Sequence, residues 1–234
     1  MQDVISTPLG PLGRAPLSAA VEDYLKTIYT LKSEGAPSVS TQSLAAKLGV
    51  APPSATAMCK KLTQMGLARH TPYYGIELTQ AGQLVALEVI RHHRIIETYL
   101  AQILGMPWDK VHDEAERLEH VLSEDLEARM MEALGHPTRD PHGAPIPGKN
   151  GEIAHGENEV RLSETPAKTR AKVAQVDDAS PETLRHLREI GLVPGVEIEI
   201  LRNEKWEGLV RVKIGESEVV VGSGPASAVW VERV

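Results

Sequence analysis

The chain has 234 residues, 41% of them hydrophobic and 24% charged, which is enough to bury a core and predicts one or two folded domains. Aromatic residues make up only 3%, which argues against a protein that stacks single-stranded bases, and the net charge of −7 excludes a basic coat over the whole chain. The single cysteine, Cys59, excludes an internal disulfide and a thiolate cluster, so a metal site would have to use histidine and carboxylate ligands.

The N-terminal part of the chain is predicted to be a flexible arm followed by a helix. Residues 1–17 are rich in proline and glycine, as a flexible arm would be. Apolar residues then recur with helical spacing from Ser18 until Gly35 ends the run. The apolar positions are Val21, Leu25 and Ile28. Helical periodicity continues to about Leu134, so this part of the chain is expected to be all α apart from one small hairpin.

A basic segment at 35–76 contains no acidic residue at all. Ser40 and Thr41 can cap a first short helix, and Pro52 opens a second one after a tight glycine turn. Two short helices joined in this way are typical of a helix-turn-helix motif. The turn is Gly49–Ala51, and a two-stranded wing is predicted from Leu67–His70, the turn Pro72–Gly75 and Ile76–Leu78.

The second helix of such a motif enters the major groove of double-stranded DNA, and its N-terminal residues contact base edges. Small residues here could approach bases, and three cations could reach phosphates. The candidate base contacts are Ala51, Pro53, Ser54, Thr56 and Ala57, and the candidate phosphate contacts are Lys60, Lys61 and Arg69. The alternative is a helical hairpin packed inside a larger protein, but the absence of acidic residues favours DNA binding.

The next stretch, 78–134, is acidic, with eleven Asp or Glu against five Lys or Arg, and it could hold a metal ion. A helix beginning near Asp109 is predicted to carry four histidine or glutamate residues along one stripe, and the preceding helix, Ala81–Leu104, carries two more at i and i+4. The stripe is His112, Glu116, Glu119 and His120, and the pair is His93 and Glu97. For either helix alone, the alternative to a metal site is a polar face exposed to solvent. The same i, i+4 spacing of histidine and glutamate on two helices favours the metal site.

The C-terminal third is predicted to be a small β domain behind a linker. Prolines and glycines interrupt regular structure across 136–165. Runs of β-branched residues between glycine turns then predict a small barrel with one short helix, Pro181–Ile190. The predicted strands are Lys172–Val176, Val196–Leu201, Leu209–Ile214, Glu218–Val221 and Val229–Val231. The fold class is therefore expected to be mainly α with a small β domain.

Three strings in this order, Asp23–Tyr29, Val111–Ser123 and Pro141–Pro147, closely resemble the diphtheria-toxin-repressor family of metal-dependent transcriptional regulators. That family includes the manganese regulators called MntR, and the resemblance covers nearly the whole chain past residue 18. It implies a homodimer on a palindromic operator, with four parts after the arm. These are a winged helix-turn-helix domain at 18–78, a helical dimerisation and metal-binding domain at 79–135, a linker at 136–165 and an SH3-like (FeoA-like) domain at 166–234.

The resemblance also implies two metal sites. The primary site would use Asp23, Glu116, Glu119 and His120, and the ancillary site would use His93, Glu97 and His112. Glu182 and His186, at i and i+4 on the short C-terminal helix, are further candidates for the ancillary site. Asp23 and Glu116 occupy positions where iron-type members have Met and Cys, and this exchange of sulfur for oxygen favours Mn²⁺. Fe²⁺ is the alternative ion, because imidazole and carboxylate serve it nearly as well.

We therefore predict a manganese-activated repressor of metal-uptake genes, with an iron(II)-responsive repressor as the alternative. A His/Glu metallohydrolase would need an open coordination position, and the acid-free basic segment argues against it, so no enzymatic activity and no small organic substrate are expected. A peptide-binding SH3 module would need more aromatic residues than Trp206 and Trp230. No window approaches the roughly 18 apolar residues of a membrane span, so we expect a cytoplasmic protein without a membrane partner.

Overall fold

The computed structural model describes residues 17–71, 74–153, 158–178, 180–204 and 206–234, so the predicted arm lies almost entirely outside the described residues. The chain divides into two compact units, Met1–Val89 and Ile90–Val234. None of the helices in the described ranges has the length and apolar character that a membrane span requires.

The first unit is a winged helix-turn-helix, as predicted. It contains three helices, α1 (Ala19–Ser33), α2 (Thr41–Leu48) and α3 (Pro52–Gln64), and a hairpin of β1 (Ala68–Thr71) and β2 (Gly75–Leu78). The Ser40 side chain caps α2 by accepting a hydrogen bond from the Ser43 amide at 3.0 Å, and Gly49 ends the helix at a φ of 64° that favours glycine. The apolar face of each helix packs into one buried aliphatic core, which fixes the turn between α2 and α3.

Helix α4 (Gln80–Gln102) begins in the first unit and continues into the second, close to its predicted bounds. Helices α5 (Val111–Leu118) and α6 (Glu124–Ala133) follow. The expectation that one helix carries all four residues of the stripe was wrong, because α5 ends at Leu118 and Glu119 is its C-cap. The Ser123 side chain caps α6 by accepting from the Leu126 amide at 3.3 Å, so the chain has to leave the helical conformation between these two helices.

The prediction of a linker across 136–165 was also wrong for the residues described there. Residues 142–147 are buried, and the His142 carbonyl accepts a hydrogen bond from the Val176 amide at 2.8 Å. At Gly143 a Cβ atom would lie 2.1 Å from the Ala174 carbonyl oxygen, so glycine is needed for this close approach and not for flexibility. Strand β3 (Glu159–Arg161) and a 3-10 turn (Leu162–Glu164) also fall in this range.

The C-terminal domain is built on one six-stranded antiparallel sheet, in the order β3-β8-β4-β5-β6-β7. Its other strands are β4 (Thr169–Val176), β5 (Glu197–Glu204), β6 (Leu209–Ile214), β7 (Ser217–Gly222) and β8 (Val229–Arg233). All five predicted strands and the predicted helix, α7 (Pro181–Glu189), are present, whereas β3 and the short α8 (Ser223–Ser227) were not predicted. Leu184 and Leu187 of α7 and Trp108 of the α4–α5 connection complete the core of this domain.

Candidate metal centre and DNA-binding surface

The buried pair His93 and Glu97 forms the middle of the candidate metal centre. Both side chains lie on one face of α4, as their i and i+4 spacing predicts, and His93 Nε2 lies 3.0 Å from Glu97 Oε1. Glu97 is fully buried and His93 is 4% exposed, which is rare for such polar groups unless they have a structural or ligand role. The pair therefore lies in the interior of the second unit, where side chains from other elements can contact it.

Two further donors approach this pair from other elements. His112 Nδ1, on α5, lies 3.1 Å from His93 Nε2 and 3.4 Å from Glu97 Oε1. Asp178 Oδ2, just after β4, lies 3.6 Å from His112 Nδ1. Ligand atoms of these four residues all lie within 4.8 Å of one another, a grouping that could hold a metal ion. The sequence prediction included His93, Glu97 and His112 but missed Asp178.

Glu182 and His186, the residues proposed from the C-terminal domain, are exposed on α7. Neither belongs to a grouping of donors found among the described residues, whereas Asp178 does. The C-terminal domain does contribute a donor, but from the loop before α7. The sequence signal was the Asp177-Asp178 pair directly after a strand, which periodicity arguments about helices do not detect.

A second group of donors surrounds the other side of His93. His93 Nδ1 makes a short contact with Glu119 Oε2 and lies 3.7 Å from Glu116 Oε1. His120 Nε2 lies 3.6 Å from Glu119 Oε1. Three of the four predicted primary ligands are thus adjacent in the second unit. Asp23, the fourth, lies on α1 in the first unit.

A third group consists of Glu97, which the sequence prediction included, and Asp140 and His142, which it missed. Glu97 Oε2 lies 3.7 Å from His142 Nδ1, and all three side chains are buried. Glu97 Oε2, Asp140 Oδ2 and His142 Nδ1 have no hydrogen-bond partner among the described residues. Three unsatisfied buried donor atoms in one place cost free energy, which fits a site that a cation completes. The available signal was an acid and a histidine flanking Pro141 in the Pro141–Pro147 string.

Charge pairing dominates the electrostatics of this centre. Burial raises the pKa of Glu97, but the neighbouring His93, His112 and His142 outweigh it and hold the pKa well below the usual value. The neighbouring Asp178 and Glu97 carboxylates raise the pKa of His112 to about 10. The metal-free protein therefore holds Glu97 as an anion and His112 as a cation, so a divalent ion bound by His112 would have to displace a proton.

The pKa values of Asp140 and His142 are both raised, but by different causes. Burial, together with the charge of Glu97, raises the pKa of Asp140 to about 7. Burial lowers the pKa of His142, but the neighbouring Glu97 carboxylate outweighs this and raises the pKa to about 9. Histidine and carboxylate donors at such positions suit a divalent ion such as Mn²⁺ or Fe²⁺.

The predicted DNA contacts lie on the exposed side of α3 and the wing. Ala55, Cys59 and Leu62 face the core, so the opposite face of the helix is left for a partner. The exposed predicted contacts are Ala51, Pro53, Ser54, Ala57, Lys60, Lys61 and Arg69. Thr56 is half-buried, and its hydroxyl donates to the Pro52 carbonyl at 3.0 Å. Arg69 lies on β1 opposite Glu77 on β2.

Three protein-family models match the chain. The N-terminal DNA-binding domain of iron-dependent repressors matches residues 16–76, and their metal-binding and dimerisation domain matches residues 79–148. The FeoA domain matches residues 160–233. The chain thus carries a DNA-binding domain and a dimerisation domain of one family, followed by the β domain.

Individual relatives agree with this assignment. The iron-dependent repressor IdeR of Mycobacterium tuberculosis (strain H37Rv) is 34% identical over 225 residues, covering 91% of this chain and 96% of that protein. The diphtheria toxin repressor of Corynebacterium glutamicum is 33% identical, with the same coverage. A solved manganese-dependent transcriptional repressor in complex with manganese has a TM-score of 0.87 and 37% identity over 92% of this chain and 100% of that chain. The chain therefore belongs to the diphtheria-toxin-repressor family and is a metal-dependent, DNA-binding transcriptional repressor, not an enzyme.

Proposed function

We propose that the chain is a manganese-activated repressor of metal-uptake genes that binds a palindromic operator as a homodimer. The observation that carries the proposal is the donor set, because every candidate ligand is a carboxylate or an imidazole and none carries sulfur. Such donors suit Mn²⁺, whereas thiophilic ions favour thiolate and thioether ligands. The similar manganese-bound repressor, 37% identical, supports the same ion.

The second candidate is the same repressor with Fe²⁺ as its ion. The IdeR relatives are named as iron-dependent, and imidazole with carboxylate also suits Fe²⁺. Affinity in the divalent series ranks Mn²⁺ below Fe²⁺, so selectivity for Mn²⁺ would have to come from ligand geometry and metal supply.

Two sites would hold ions in each protomer. Asp23, Glu116, Glu119 and His120 are the proposed primary ligands, and Asp23 is assigned by its place in the Asp23–Tyr29 string. The second site would use the grouping around Glu97. Its proposed ligands are His93, Glu97, His112 and Asp178. Asp140 and His142 are further candidate ligands, which lie near the other carboxylate oxygen of Glu97. A divalent ion would offset the negative charge of these carboxylates, and its coordination would hold the ligand side chains in one arrangement.

Ligands from both units would couple metal binding to DNA binding. Asp23 is carried by α1, whose apolar face shares a core with α3, whereas the other primary ligands belong to the dimerisation domain. When these residues coordinate together, α3 is restrained relative to the dimerisation domain and therefore relative to α3 of the second protomer. Two recognition helices about 34 Å apart, or a multiple of that distance, can enter major grooves on one side of an operator.

A binding titration on operator DNA tests this proposal. Affinity for a duplex carrying the operator should rise with Mn²⁺ by a factor of roughly 10³ to 10⁴ if metal switches the protein from mostly unbound to mostly bound. Asp23→Ala and Glu119→Gln should abolish the response, while Glu132→Gln, an exposed change on α6, should keep it. Unchanged Mn²⁺ dependence in both ligand variants would overturn the site, and a stronger response to anaerobic Fe²⁺ than to Mn²⁺ would favour the second candidate.

A further inference from the structure

Glu119 and His120 occupy an unusual place for two metal ligands, because they follow the end of α5. The Glu119 amide still donates to the Ala115 carbonyl at 2.9 Å, but residues 119–121 form a turn and not a helix. Carbonyl groups at a helix end lack the regular partners that hold the interior of a helix. The orientation of these ligands therefore depends on contacts from other elements.

His92, on α4, makes one such contact. Its Nδ1 atom lies 3.2 Å from the backbone carbonyl oxygen of Glu119. A carbonyl oxygen can only accept, so Nδ1 carries a proton and donates it. His92 is 8% exposed, and this hydrogen bond links α4 directly to the backbone of a proposed ligand.

Glu127, on α6, approaches His92 from the other side. Glu127 Oε2 lies 3.3 Å from His92 Nε2, and Oε1 accepts a hydrogen bond from Arg91 Nε at 2.8 Å. Arg91 in turn donates to the Pro147 carbonyl at 2.6 Å. Glu127 is 2% exposed, so its carboxylate joins α4, α6 and the end of the buried 142–147 segment at one point.

We propose that His92 and Glu127 are positioning residues for the primary site: Glu127 orients His92, and His92 holds the backbone that presents Glu119 and His120. A partner outside the coordination shell commonly changes metal affinity by about 10- to 100-fold, because it sets the orientation of a ligand. This inference rests on the proposed metal-binding function but assigns roles to residues outside both proposed ligand sets.

The test measures Mn²⁺ binding to the full-length protein by the electron paramagnetic resonance signal of free Mn²⁺. His92→Leu removes the donor, whereas His92→Asn keeps an N–H near the position of Nδ1. We expect His92→Leu to weaken binding about 10- to 100-fold and His92→Asn to restore most of that affinity. Glu132→Gln, exposed on α6, is the matched control for Glu127→Gln.

A double-mutant cycle then decides whether Glu127 acts through His92. Glu127→Gln should weaken Mn²⁺ binding in the parent protein but add little in the His92→Leu background, because the link it acts through is already absent. A purely structural role would lower the melting temperature equally in both backgrounds and leave the affinity of the folded protein unchanged.

The outcomes separate this inference from the proposed function. If the parent protein failed to bind Mn²⁺, the proposed function itself would be wrong. If the parent bound two Mn²⁺ ions per protomer, Glu119→Gln lost the primary-site ion and His92→Leu matched the parent, the positioning role would be overturned while the function stood. Should Glu127→Gln fail to fold, the comparison of His92→Leu with His92→Asn still decides the role of His92, and equal affinities of these two variants would contradict it.

Discussion

Glu97 is the residue that joins the separate groups of donors, because its two carboxylate oxygens face different partners. Oε1 lies near His93 and His112, and Oε2 lies 3.7 Å from His142 Nδ1. His93 likewise joins two groups, because its Nε2 atom lies near Glu97 and its Nδ1 atom lies near Glu119. A single substitution at either residue would therefore disturb two groups at once, so the sites are better dissected at their outer members.

Asp178 is such an outer member, since it belongs to one grouping only. We predict that Asp178→Ala weakens the second Mn²⁺ by at least about 10- to 100-fold, the range seen even for residues outside the coordination shell. Calorimetric titration of the variant would show that one Mn²⁺ per protomer binds with the affinity of the parent, whereas the other binds much more weakly. Glu182→Ala, on the neighbouring helix, should keep both ions, and the opposite pattern would restore Glu182 as the ligand.

Glu127 should give the metal-free protein a recognisable pH dependence. Burial raises the pKa of Glu127, but His92 and Arg91 outweigh it and lower the pKa to about 2. A lowered folded-state pKa stabilises the protein above the unfolded value of about 4.5, and this contribution is lost as the pH falls towards 2. Glu127→Gln should destabilise the protein by roughly 3–5 kcal/mol at neutral pH and flatten the fall in melting temperature between pH 5 and pH 2. An equally steep fall in the variant would contradict the assignment.

At the scale of elements, α3 combines a buried apolar face with an exposed basic end. Ala55, Cys59 and Leu62 anchor it, which leaves Lys60 and Lys61 on the surface. Replacing both lysines with alanine should reduce the slope of log affinity against log salt by about 0.9 for each phosphate that is no longer neutralised, about 1.8 in all. Gln64→Ala, a neutral exposed change on the same helix, should leave the slope unchanged. A slope equal to the parent's in the double variant would remove these lysines from the DNA interface.

The turns around α5 and α6 expose apolar side chains in the matched dimerisation domain. Leu104 is 64% exposed and Val121 is 75% exposed, in a domain that also exposes Leu118 and Leu126. Apolar surface of this kind commonly marks a protein–protein interface. We predict that Leu104→Glu with Val121→Glu produces a monomer by light scattering and weakens operator binding. Trp206→Glu, also exposed but in the C-terminal domain, should remain dimeric, and a dimeric double variant would place the interface elsewhere.

At the scale of the whole molecule, the proposed function is a coupling between metal and DNA. Such coupling is reciprocal, so operator DNA should tighten Mn²⁺ binding by the same factor by which Mn²⁺ tightens DNA binding. A Mn²⁺ titration with the operator duplex, compared with a scrambled duplex of equal length, measures this factor. Equal Mn²⁺ affinity with the operator and with the scrambled duplex would show that metal binding and operator binding are not coupled.

The sequence alone determined much of the architecture. Helical and alternating periodicity, the Ser40 cap and the glycine turn predicted the winged helix-turn-helix and most strands of the C-terminal sheet, because these are local properties of the backbone. Periodicity also predicted the His93–Glu97 pair, since residues at i and i+4 share a face of one helix. The single cysteine restricted the donors to histidine and carboxylate before any fold was known.

Only the tertiary structure decided which distant residues complete the site. Asp178, Asp140 and His142 are separated along the chain from α4, and their proximity to Glu97 depends on how the segment around Gly143 packs against β4. That segment is dense in proline and glycine, a composition shared by flexible linkers and by tightly packed turns, so local pattern could not distinguish the two. Burial and close backbone approach, which are properties of the folded chain, made the distinction.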